Sequence, residues 1–104
     1  MADRLVLRLS QEARDAFPVI WWYTATKFSV SKADAYLAWL EDEIASLPDR
    51  MSSAIDDPEL PGAYLWLLKK KPGWRHHGYL VVAYVRGTEL IVVDIRHTAR
   101  ERHG

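Results

Sequence analysis

The chain has 104 residues, 49% of them apolar, with 14 basic residues balanced by 14 acidic ones and no cysteine. That length and apolar share predict a single domain over residues 1–104 with one closed core, and argue against disorder. The lack of cysteine excludes a disulfide framework and every thiolate metal site, and the neutral balance argues against a dedicated nucleic-acid binder, whose phosphate contacts leave a basic excess.

The first element is an alternating run, Arg4-Leu5-Val6-Leu7-Arg8-Leu9, which reads as a strand with Leu5, Leu7 and Leu9 on one face. Ser10 is a fitting N-cap for a helix, with Glu12 near its positive end. Ala13, Ala16, Phe17, Ile20, Thr24 and Phe28 recur at helical spacing, with Trp21 alongside. Pro18 lies inside that span, where it removes a hydrogen bond and crowds the carbonyl of Arg14, so a kink or a restart at Pro18 is expected. Trp21, Trp22 and Tyr23 point in three directions on a helix, so one of them must be exposed or covered by a partner.

Ser31 with Asp34 predicts the start of a second helix, a capping box with Asp in place of Glu. Its apolar stripe is Tyr36, Leu37, Leu40, Ile44 and Leu47, and Leu47-Pro48-Asp49 ends it. The short Ser-Val-Ser link makes the two helices an antiparallel hairpin. Met51 to Gly62, with Pro58 and Pro61, has no period and reads as a loop. Tyr64 to Lys69 returns to strand, and Lys70-Lys71-Pro72-Gly73-Trp74 reads as a turn. From Gly78 to Arg100 two runs rich in β-branched and aromatic residues flank Arg86-Gly87-Thr88, which predicts a hairpin of strands.

Strand, helix, helix, strand, strand, strand implies an α+β fold, with the helical hairpin on one face of a largely antiparallel four-stranded sheet. Two helices cover only one face of such a sheet. Yet the last hairpin is apolar on both faces: Leu80, Val82 and Tyr84 against Tyr79, Val81 and Ala83, and Leu90 and Val92 against Ile91, Val93 and Ile95. A partner protein is the simple cover for the second face. No apolar run approaches the ~20 residues of a membrane span, and Met1-Ala2-Asp3-Arg4 does not resemble a signal peptide. A cytoplasmic protein without a membrane partner is expected.

In order and spacing the chain resembles the RelE/ParE superfamily of toxins from type II toxin–antitoxin systems. The resemblance rests on the first strand, Ser10 to Ala13, Ile20-Trp21 with Tyr23, Ala35-Tyr36-Leu37 with Leu40, Leu47-Pro48, Gly78-Tyr79 with Tyr84, and Ile95-Arg96-His97-Thr98-Ala99-Arg100-Glu101. The last stretch looks like the ParE branch; Pro18 and the Lys69-Lys70-Lys71-Pro72-Gly73-Trp74 run depart from the family pattern. The resemblance implies a toxin neutralised by a cognate antitoxin that folds across its surface, possible hetero-oligomers with that antitoxin, and a role in plasmid stabilisation. ParE-like members inhibit DNA gyrase by binding, without catalytic residues or a cofactor. RelE-like members cut mRNA on the ribosome, and a third possibility is a non-toxic regulatory member of an antitoxin complex.

RNA cleavage needs a base and cationic clamps on phosphate. Lys69, Arg75, Arg96, His97 and Arg100 would supply these in the RelE-like case, with His97 the best base because imidazole titrates near neutrality. No catalytic residue is expected in the ParE-like case. There Lys70, Lys71, Trp74, Arg75, Arg96 and Arg100 form a target-binding rim, with Trp74 an anchor or a lid on the core edge. Trp22, Leu80, Val82, Tyr84, Leu90 and Val92 are the residues expected to meet the antitoxin. Asp94 shares alternation with Leu90, Val92 and Arg96, and an ion pair is its ordinary role. His76 and His77 diverge on a strand entry, so no metal site is expected.

Overall fold

The computed structural model describes residues 4–69 and 78–97. Among these, the order is β1 (Val6–Leu9), α1 (Gln11–Lys27), α2 (Val30–Ala45), β2 (Ile55–Asp56), β3 (Ala63–Leu68), β4 (Tyr79–Arg86) and β5 (Glu89–His97). Two 3-10 turns, Leu47–Asp49 and Met51–Ser53, follow α2. The strands form one sheet in the order β1-β5-β4-β3-β2, antiparallel except that β1 runs parallel to β5. The fold is α+β, with the helical hairpin on one face of a mostly antiparallel sheet.

Ser10 caps α1, its hydroxyl oxygen accepting from the Ala13 N–H at 3.2 Å. The helix runs through Pro18 as a single element, where a kink or restart was expected. Pro18 and Arg14 are both exposed, so the carbonyl left without a donor can be hydrated. The second cap is Ser29, accepting from Lys32 N–H at 3.1 Å, and not Ser31. Asp34, expected in a capping box, instead accepts from the Trp21 indole at 2.8 Å and ties the two helices together. Arg4 fastens the other end, donating to the Ala45 carbonyl at 3.0 Å and pairing with Asp49 at 2.9 Å, a cation placed where a helix C-terminus is negative.

The segment read as a loop from Met51 to Gly62 contains an edge strand. Ile55 and Asp56 pair with Leu65 and Tyr64, which makes the sheet five-stranded. Two residues are too few to carry a period, so only pairing reveals them. Gly87 takes φ +60 in the two-residue turn between β4 and β5, as the sequence predicts. Gly78 serves another purpose: a Cβ there would lie 2.3 Å from the Leu68 carbonyl oxygen, so only glycine allows β4 to start against the end of β3.

A bulge in β5 decides which side chains meet the helices. Val82 pairs with Asp94 but Ala83 pairs with Val92, leaving Val93 as the extra residue. Strict alternation would place Leu90 and Val92 opposite Ile95. Instead Leu90, Val92 and Ile95 all join the core, with Tyr79, Val81 and Ala83 of β4, Trp66 and Leu68 of β3, and Ala13, Ile20, Leu37, Leu40 and Ile44 of the helices. Trp66 is satisfied in that core by donating from its indole to the Arg50 carbonyl at 3.1 Å. The bulge also moves Asp94 and Arg96 to the face of Leu80 and Val82, away from Leu90 and Val92.

Candidate functional site

The face of the sheet turned away from the helices is the first candidate. Cross-strand register assembles it from Val6 and Arg8 of β1, Ile91, Asp94 and Arg96 of β5, Leu80, Val82 and Tyr84 of β4, Leu65 and Leu67 of β3, and Ile55 of β2. Its outer apolar members are open: Ile55 is 62% exposed, Val6 53% and Leu67 49%. Leu65, Leu80, Tyr84 and Ile91 are half-buried, and Val82 is buried among its neighbours. No described helix covers them. An apolar surface shared by five strands and rimmed by charge is of the kind partners bury.

Charged residues close the β1–β5 side of this face. Arg8 pairs with Glu89, and Arg96 Nε lies 2.6 Å from Asp94 Oδ2. The other Asp94 carboxylate oxygen accepts from the Ile95 N–H at 2.9 Å, which fixes the acid on its strand. Both ion pairs are partly exposed, so each adds at most about 1 kcal/mol to stability. They orient side chains more than they hold the fold.

His97 belongs to the opposite face. Its ring meets Tyr79 edge-on at 5.0 Å and Tyr23 of α1 at 5.8 Å. Tyr79 continues to Tyr36 at 5.9 Å, and Tyr36 to Trp39 at 5.2 Å. The result is a row of rings joining both helices to the end of the sheet. Burial, with the neighbouring Tyr79 phenol second, holds the Tyr36 hydroxyl well above the usual tyrosine range. Expected to share alternation with Ile91, Val93 and Ile95, His97 in fact lies on the side of Leu90, Val92 and Ile95, because the bulge intervenes.

The catalytic set considered for RNA cleavage is therefore divided. Leu68, Tyr79 and His97 lie side by side across the sheet, so the strand ends carrying Lys69, Arg96 and His97 do converge. Arg96, however, occupies the free face beside Asp94, while His97 lies among rings on the helix side. Lys69 is exposed. Lys70, Lys71, Trp74, Arg75 and Arg100, together with His76 and His77, fall outside the described residues.

Of the side chains expected to meet an antitoxin, Leu80, Val82 and Tyr84 share the free face. Leu90 and Val92 do not. Both are fully buried against the helices, because β5 turns these residues toward the core ahead of the bulge. Trp22 is 66% exposed but sits on α1, across the molecule from the free face. Sequence reasoning omitted Ile55, Leu65, Leu67 and Ile91. The signal for Ile91 was its alternation against Leu90 and Val92; the others needed register.

A family model described as "ParE toxin of type II toxin-antitoxin system, parDE" matches residues 7–102. The chain belongs to this ParE toxin family. A solved structure, "Chromosomal ParDE TA system from P. aeruginosa", is similar to it in fold, with a TM-score of 0.74 at 17% identity, over 90% of this chain and 96% of that one. No curated protein sequence matches the chain. The family match runs through the His97-Thr98-Ala99-Arg100 ending, of which only His97 is among the described residues. No described helix is long and apolar enough to cross a membrane.

Proposed function

We propose that this ParE-family chain is a cytoplasmic toxin that inhibits DNA gyrase by binding it, and that a cognate antitoxin neutralises it by covering the free face of the sheet. The observation that carries this reading is the family match over residues 7–102. The free face supports the antitoxin's part in it, since Leu67, Leu80, Tyr84 and Ile91 offer one continuous apolar strip to a folding segment. Arg96 takes part in target binding, together with Lys70, Lys71, Trp74, Arg75 and Arg100.

Cleavage of mRNA has less support. A general base must reach the 2′-hydroxyl while cations reach the same phosphate. His97 packed against Tyr79 and Tyr23, with Arg96 on the other face beside Asp94, does not favour that convergence. The test is a supercoiling assay with purified protein, gyrase and relaxed plasmid. Blocked supercoiling, reversed by antitoxin, is the expected result. Cleavage of templates on ribosomes, lost in His97→Ala, would replace this reading with the endonuclease. Silence in both assays with tight antitoxin binding would leave a regulatory member of the complex.

A further inference from the structure

Two ion pairs lie on the open face, and they differ in what they join. Arg8 with Glu89 links β1 to β5, so it helps to pin an edge strand. Asp94 and Arg96 stand two apart on the same strand, and their pair links nothing that β5 does not already link. Both side chains are more than a third exposed, so water weakens what the pair adds to stability. Its geometry is nevertheless specific. One Asp94 oxygen accepts from the Ile95 N–H at 2.9 Å, and the other lies 2.6 Å from Arg96 Nε.

The bulge gives this pair its place. With Val93 as the extra residue, Asp94 lies opposite Val82 and Arg96 opposite Leu80. Leu80 in turn faces Leu67, which is 49% exposed. Arg96 thus closes one end of the apolar strip, beside side chains that a partner would bury. A long arginine side chain is costly to immobilise on binding. Engagement at Nε by a carboxylate that is itself tied to the backbone meets part of that cost before any partner arrives. The same carboxylate offsets the positive charge, which lessens the pull on a distant anion.

We infer that Asp94 is a positioning residue for target binding, holding Arg96 at the end of the open strip for directed hydrogen bonds to a protein surface. This rests on the proposal above that Arg96 meets gyrase. Engagement at Nε fixes the plane of the guanidinium, whose Nη groups carry the donors suited to a carboxylate or carbonyl of the target. Nucleic-acid phosphate is the weaker fit, because a carboxylate beside the arginine opposes an anion.

The sign of the Asp94→Asn effect separates the two. Asn has one side-chain oxygen and cannot serve both the Ile95 N–H and Arg96 Nε as the carboxylate does, while its neutrality unmasks the cation. In titrations with purified gyrase, Asp94→Asn is expected to bind about threefold to tenfold more weakly than wild type, and Arg96→Ala about tenfold. The double variant should be no weaker than Arg96→Ala alone, since Asp94 acts through Arg96. The Arg96 Nε–Hε NMR signal should be resolved in the wild type and lost to solvent exchange in Asp94→Asn. All three variants are expected to keep the wild-type melting temperature. Equal gyrase binding by wild type and Asp94→Asn overturns this inference alone. Additive losses in the double variant would make Asp94 a separate contact. Tighter binding of Asp94→Asn to relaxed plasmid, with gyrase binding unchanged, would assign Arg96 to phosphate. A wild type that does not bind gyrase overturns the earlier reading and this inference with it.

Discussion

The two faces of the sheet are both apolar, yet they are built for different purposes. On the helix side Leu90, Val92, Val81 and Ala83 are fully buried against α1 and α2. On the other side Ile55, Leu67 and Val6 remain open, with Leu80, Tyr84 and Ile91 half covered. Apolar surface left in water is unfavourable by about 25 cal/mol per Å² relative to burial. A fold that retains such a strip beside a closed core has a use for it. The comparison shows that hydrophobic content alone does not locate a core; the packing partner does.

The largest effect should come from the covered face. Leu90→Ala or Leu40→Ala leaves a cavity beneath fully buried neighbours and is expected to cost about 2–5 kcal/mol in urea unfolding. Gly78→Ala should follow, at about 1–3 kcal/mol, because the new methyl meets the Leu68 backbone and must push β3 and β4 apart. Removing the α1 cap with Ser10→Ala should cost about 1 kcal/mol in thermal unfolding. On the open face Leu67→Ser should alter stability by less than about 0.5 kcal/mol while weakening antitoxin capture in a pull-down titration. If Leu67→Ser unfolds the protein, or Leu90→Ala is silent, the distinction between the faces fails.

A pH series sharpens the helix-side account. Tyr36 titrates above its ordinary value of 10.0 in the folded chain because burial disfavours the phenolate. A folded pKa above the unfolded one means that this contribution is whole below pH about 10 and is lost as pH rises beyond it. Tyr36→Phe should therefore lessen the fall in stability at alkaline pH, measured by chemical unfolding on both sides of that value.

Much of this architecture was legible in the residues. Alternation in Leu5-Leu7-Leu9, the Ser10 cap, the apolar stripe of α2 and the Gly87 turn are local signals, and each sits where the sequence places it. What escaped depends on pairing or competition. The Val93 bulge shifts alternation within a run whose residues are apolar on both sides, so no pattern of polarity betrays it. Leu90 and Val92 were expected to meet the antitoxin because the register at the turn, Val85 opposite Leu90 and Ala83 opposite Val92, is likewise silent in such a run. Ser29 and Ser31 are equally good caps in isolation; in the fold Ser29 accepts from Lys32 N–H and Asp34 is taken up by Trp21. Pro18 is accommodated because its side of α1 is exposed, which only packing reveals.

We propose that the open sheet face is where an antitoxin lies. Methyl NMR tests this, with the protein alone and in complex with a cognate antitoxin. Shifts are expected at Val6, Ile55, Leu65, Leu67, Leu80 and Ile91, with Leu40, Leu90 and Val92 left in place. Unchanged methyls across the open face in a saturated complex would contradict it.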